Sequence, residues 1–239
     1  MRFMTVGTLF LSLVTFTTGQ DVSLAAVRRA FNTANIPSDV QITFNPSVLF
    51  EVAFPQASGP PVQVHAGIQL PRNATVGPPI FAVRDSFLTP SQSFVVAAVD
   101  PDAPTPQTPT EAQIRHFLGG DFHVQVAPTS RTERLVNTTA AISNFLQPTP
   151  PAGSDPHRYV FLLFNQPQGF DRQTLVNATT SIANFNISQF ASEVGLGNPI
   201  GGKYPRNRDE RDLTVHLITS KRASHKLHPA MRDMHELRI

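Results

Sequence analysis

The 239-residue chain has no cysteine, no tryptophan, few charges and no lysine before position 203, and each shortage excludes something. Without cysteine there can be no disulfide, thiolate metal site or cysteine nucleophile. A charged fraction of 15% is too low for a disordered polyelectrolyte, and 40% hydrophobic residues is the content of a globular chain. No HExxH, GxSxG, GxGxxG or GxxxxGK[ST] pattern occurs, which removes the zinc-protease, serine-hydrolase, dinucleotide and phosphate-loop signatures. No cofactor and no metal are therefore expected.

Charge is unevenly spread. Before Lys203, ten arginines face twelve acidic residues, a body of net −2, whereas residues 203–239 hold nine Lys and Arg against five acidic residues, a tail of +4. The body carries no arginine stripe with interleaved aromatics, so no nucleic-acid partner is expected. All 18 Phe lie before Lys203 and all three Lys at or after it. The composition therefore divides the chain into a folded domain over 20–204 and a basic, poorly packed extension over 205–239, which is either an anionic-surface contact or a solvated end.

At the start, Arg2 precedes the apolar stretch Leu9 to Phe16, followed by Thr17, Thr18 and Gly19. That is the order of a signal peptide, residues 1–19, cleaved after Gly19; a buried first strand is the other reading. The stretch is too short to span a bilayer, so no transmembrane segment is expected in the mature chain. Four acceptor sequences, Asn73-Ala-Thr, Asn137-Thr-Thr, Asn177-Ala-Thr and Asn186-Ile-Ser, add the expectation of a secreted, extracellular glycoprotein.

Leu24, Val27 and Phe31 recur at helical spacing behind a possible Ser23 cap, with Pro37 beyond the end. The period then changes to two. Val48, Phe50, Val52 and Phe54 share one strand face, and Val62 to Leu70 alternates strictly. Phe94 to Val99 and Tyr159 to Phe164 read as strands buried on both faces, and Phe122, Val124 and Val126 alternate again. Ile187, Phe190, Ala191 and Val194 form a helical stripe between Asn186 and Gly195. Strands separated by proline-rich turns, with few short helices, give an all-β fold of the antiparallel β-sandwich type.

Two segments hold the chemistry. In Asp100-Pro-Asp102-Ala-Pro, two prolines stiffen a strand end that carries two carboxylates, which either face a site or close an Asx turn. His116 follows at another strand entrance, either in the site or as a structural histidine. His116 and His123 differ by seven, so one continuous strand would point them to opposite faces, and Gly119-Gly120 between them would have to rescue the geometry for a shared metal. The second segment runs from Pro150 and Pro151 to His157-Arg158-Tyr159, where His157 and Tyr159 share a face and Arg158 points away into a salt bridge.

Asp100-Pro-Asp-Ala-Pro, then His116-Phe, then Pro-Pro-x-Gly-x-x-x-His157-Arg-Tyr-Val-Phe-Leu-Leu resembles the phosphatidylethanolamine-binding protein family from about Phe50 to Gly202. The resemblance implies a β-sandwich with a small anion pocket built from Asp100, His116, Pro150, Pro151, His157 and Tyr159, with Asp102 in support. It implies non-enzymatic binding of a phosphorylated small molecule or phospholipid head group, possible regulation of partner proteins, and, as the alternative, inhibition of a carboxypeptidase-type protease through surface loops. Ile114 and Arg115 stand where that family often has an aromatic and a second histidine.

Overall fold

The computed structural model describes residues 21–84, 87–125 and 130–209. The expected signal peptide, residues 210–239 of the expected tail and Val126 lie outside the described residues.

Helix α1 spans Leu24–Thr33, and Ser23 Oγ accepts the Ala26 N–H at 3.2 Å to satisfy one orphan donor of its first turn. Pro37 lies in the first turn of a short helix α2, Ile36–Asp39, a position that needs no N–H. Helix α3, Ile187–Glu193, begins at Asn186, whose Oδ1 accepts from Gln189 N at 2.9 Å, and is followed by Gly195 at φ +75°.

The strands are β1 Leu49–Phe54, β2 Val62–Gln63, β3 Ile80–Arg84, β4 Phe94–Asp100, β5 Ile114–Gln125, β6 Thr132–Asn137, β7 His157–Arg158, β8 Val160–Asn165, β9 Gly201–Lys203 and β10 Arg206–Asn207. Eight form one antiparallel sheet in the order β2-β1-β3-β6-β5-β4-β8-β9, and β10 pairs with β7 in a separate ribbon. The sheet curls until β9 approaches β1: Ser47 N and Val48 N, just before β1, both donate to Ile200 O, just before β9, at 2.8 and 3.0 Å. The two layers enclose Phe50, Val52, Phe54, Phe81, Phe94, Phe117, Phe122 and Phe161. Phe81 lies at the centre, with ring centroids 5.6–5.7 Å from those of Phe50, Phe117 and Phe122.

A second core covers the other face of β4 and β8, where Val95, Ala97, Val99, Leu162 and Phe164 pack against Phe31, Ile36, Ile187 and Phe190 of the helices. Every residue of β4 is buried, as the unbroken apolar run Phe94 to Val99 implies, and Asp100 at its end is buried with them.

Three features depart from the linear pattern. The alternating run through Leu70 is a strand only at Val62–Gln63, because the chain turns at His65–Ile68 with Gly67 at φ +78°. A Cβ on Gly67 would stand 3.1 Å from the Tyr204 hydroxyl. In β5, the register against β4 shifts between Gly119 and Phe122, with Asp121 at φ 55°, so Phe117 and Phe122, five residues apart, enter the same core. That shift also removes the parity argument for His116 and His123; His123 instead pairs with Gln92 O at 3.1 Å. Finally, the packed body passes the compositional break: Arg206–Asn207 form β10, and Asn207 and Asp209 are buried. The boundary expected at 204 therefore moves to at least 209, because backbone pairing with β7 is indifferent to composition.

Candidate functional site

The ends of β4 and β5, the ribbon strand β7 and the proline-rich segment before it surround a cavity of about 220 Å³. Its lining includes Asp100, His116, Pro150, Pro151, His157 and Tyr159, six of the seven residues expected in a pocket. Asp102, the seventh, lies behind the wall.

Asp100 ends β4 with its carboxylate fully engaged. Oδ1 accepts the Asp102 N–H at 2.8 Å, an Asx turn of the kind the sequence suggests, and Oδ2 meets His157 Nδ1 at 2.8 Å. The turn and the site are thus one arrangement. His157 is fully buried, and its Nε2 is 2.9 Å from Ser154 Oγ, so both ring nitrogens are held within the protein. On the other side of β7, Asp102 accepts from Arg158 N at 2.7 Å and from Arg158 Nε and Nη2 at 2.9 and 2.6 Å. Arg158 also pairs with Asp39 at 2.6 Å. Its expected salt bridge therefore fixes the strand that delivers His157.

His116 is arranged differently. Its Nδ1 lies 2.8 Å from the Leu146 carbonyl, which can only accept, so Nδ1 carries the hydrogen. No protein partner engages Nε2 among the described residues. In the neutral ring Nε2 is an acceptor, and protonation makes it a donor. Burial lowers the His116 pKa below 6.5; the Leu146 bond and Asp100 pull upward against it, and His157 adds to the lowering. The Tyr159 ring stands edge-on to His116 with centroids 4.9 Å apart. Burial, then the charges of Asp100 and Asp102, push the Tyr159 hydroxyl well above 10; a Thr149 backbone bond opposes the rise and a hydrogen bond to the Asp100 carboxylate adds to it, so the phenol keeps its hydrogen, directed at Asp100, throughout the physiological range.

Sequence reasoning missed the cavity residues Glu111, Ile114, Leu146, Thr149 and Ile182, and the Ser154 contact. Ser154 sits inside the proline-rich motif, but nothing in the sequence marks Leu146 or Ile182. Leu146 and Ile182 are exposed apolar residues at the cavity. Among the described residues no group of three or more His, Asp and Glu is placed to hold a metal ion, and no helix is long and apolar enough to cross a membrane. Asn73, Asn137, Asn177 and Asn186 are all exposed: in a 3₁₀ turn, at the end of β6, in a loop turn and at the α3 cap.

Comparison with known proteins agrees with the architecture. A solved carboxypeptidase Y inhibitor, in complex with its cognate proteinase, superposes with a TM-score of 0.66 at 22% identity, covering 79% of this chain and 97% of that one. The Arabidopsis thaliana protein BROTHER of FT and TFL 1 is 30% identical over 166 residues, 70% of this chain and 83% of its own. The Saccharomyces cerevisiae carboxypeptidase Y inhibitor is 33% identical over 87 residues, 33% of this chain and 40% of its own. Residues 60–205 match the family model described as phosphatidylethanolamine-binding protein, and the chain belongs to that family.

Proposed function

We propose that the chain binds, without turnover, a phosphorylated head group of the phosphoethanolamine type in this cavity. The observation that carries the reading is the His116 Nε2, without a protein partner among the described residues, beside the Tyr159 ring in a hollow of about 220 Å³. A protonated His116 supplies a charge-assisted donor to a phosphoryl oxygen where water is scarce. Glu111 in the cavity lining suits an ammonium group, so a zwitterion fits better than a bare anion. The volume is below the roughly 300–1,000 Å³ of drug-sized pockets, so acyl chains of a lipid would remain outside.

Asp100, His157 and Ser154 are spaced like a hydrolase triad, at 2.8 and 2.9 Å. Ser154, however, is buried, does not line the cavity and bonds the Asp155 carbonyl at 2.9 Å, so the constellation braces the wall instead of presenting a nucleophile.

Calorimetry with phosphoethanolamine at about pH 5.5 and about pH 7.5 tests the reading. Because the His116 pKa is lowered, its Nε2 becomes a donor only as pH falls below 6.5, so binding tightens towards acid. His116→Gln is expected to lose roughly 10-fold or more in affinity, the value of one charge-assisted bond, and to lose the pH dependence. Equal heats in native and variant protein overturn the assignment.

A second reading, regulation of a carboxypeptidase-type protease through surface loops, is favoured by the partial identity with the yeast carboxypeptidase Y inhibitor. Inhibition that survives His116→Gln would select it. We also infer secretion and glycosylation, supported by the exposure of all four acceptor asparagines; an unchanged mass after glycosidase treatment of protein exported by a eukaryotic host would refute this.

A further inference from the structure

Arg115 precedes His116 in β5 and is buried to 2% exposure, with its side chain in a different hollow, lined also by Thr180, Ser181 and Phe185. No carboxylate pairs with it among the described residues. Its Nε donates to Ser143 Oγ at 2.7 Å, Nη1 to Ser181 O at 3.1 Å and Nη2 to Thr180 O at 3.0 Å, and the guanidinium carbon lies 5.0 Å from the centre of the Phe185 ring. Its backbone N–H donates to Ile182 O at 2.8 Å.

These partners belong to two segments that both contribute to the wall of the head-group cavity. Ser143 opens the stretch that supplies Leu146, Thr149, Pro150 and Pro151, and Thr180 and Ser181 lead directly into Ile182. The Leu146 carbonyl is also the group that fixes the His116 ring. A buried cation without a counter-charge is unfavourable compared with an apolar side chain of similar volume. What the guanidinium adds is a planar fork that reaches three oxygens at once, which a lysine ammonium cannot reproduce.

We propose that Arg115 is a positioning residue that sets the mouth of the head-group cavity by fastening both rim segments to β5. It acts through the rim and touches no ligand. The ligand chemistry rests on the proposed function, but the clamp does not, and the two can fail separately.

With both segments in place, the His116 ring is shielded from water and surrounded by Asp100, His157, Tyr159 and Glu111 of the cavity. Loosening them rehydrates the imidazole and moves its titration midpoint up towards 6.5, since burial is the largest cause of its depression.

The experiment is an NMR titration of the His116 side chain in ligand-free native protein, Arg115→Lys and Arg115→Met, with amide exchange measured in parallel. Both variants are expected to titrate at higher pH than native. They should also exchange the Asn184 and Phe185 amides, which bond Glu111 O and Gln113 O, about tenfold faster, with β4 amides unchanged. Arg115→Lys keeps the charge, so a rise there reports lost geometry and not a lost cation. A lysine variant that titrates and exchanges like native overturns the proposal. If neither Arg115 variant folds, Ser143→Ala removes one of the three bonds; it should give a smaller upward shift, and an unchanged midpoint overturns the proposal equally. Failure of native protein to bind phosphoethanolamine would defeat the proposed function while leaving this result intact.

Discussion

Replacing Asp102 by alanine removes four hydrogen bonds from Arg158, three of them from the guanidinium, and leaves a side chain that is only 17% exposed in the native fold with Asp39 and the Ala34 carbonyl. Breaking one partner of a buried pair destabilises by about 3–5 kcal/mol because the other charge stays desolvated. Asp39 remains and is itself 39% exposed, so the lower end, about 3 kcal/mol, is expected. For a domain of this size that corresponds to a fall in Tm of roughly 6–12 °C. Thermal and urea unfolding of native, Asp102→Ala, Arg158→Met and the double variant form a cycle. The double variant should lose less than the sum of the single losses, since it leaves neither charge stranded. Additive losses, or a single-variant loss below about 1 kcal/mol, would refute the role given to the pair. Head-group affinity should fall with Asp102→Ala even where the protein is folded, because Arg158 N on Asp102 holds the strand that places His157.

Two further predictions concern the body of the fold. A Cβ on Gly202 would stand 2.6 Å from Phe31 Cζ and 3.0 Å from Phe44, so Gly202→Ala is expected to destabilise by about 1–3 kcal/mol in urea unfolding, and neutrality would contradict the packing. Asp21 is buried; burial raises its pKa, but the Lys203 and His65 contacts outweigh that and leave it below 3.8. The folded-state pKa being the lower one, its contribution is complete above 3.8 and disappears as pH falls through the folded value. Asp21→Asn should therefore flatten the acid limb of stability against pH; an unchanged limb would show that the Lys203–Asp21 pair, at 2.5 Å, does not couple to folding.

Much of this was legible in the residues because it depends on local rules. Ser23 and Asn186 cap helices through side chains three residues from their donors, and the apolar runs of β4 and β8 announce strands covered on both faces. The pocket residues are readable too, since the Asp100 and His157 segments are rigid proline-flanked motifs. What was hidden depends on partners far along the chain. The alternation through Leu70 is ended by the approach of Tyr204, and the parity of β5 is broken by an irregularity that Gln166 secures from 45 residues away. Composition marks Lys203 as the start of a tail, yet Lys203 is buried between Asp21 and Glu51. Arg115 looks like a departure from a motif until Thr180 and Ser181 are seen around it.

The most direct measurement is a crystal structure of the protein soaked at low pH with phosphoethanolamine. A phosphoryl oxygen is predicted about 2.7–2.9 Å from His116 Nε2, with the Tyr159 hydroxyl still bonded to Asp100 and the Asp100–His157 pair undisturbed. Phosphate density elsewhere, or a cavity holding only water at saturating ligand, would contradict it.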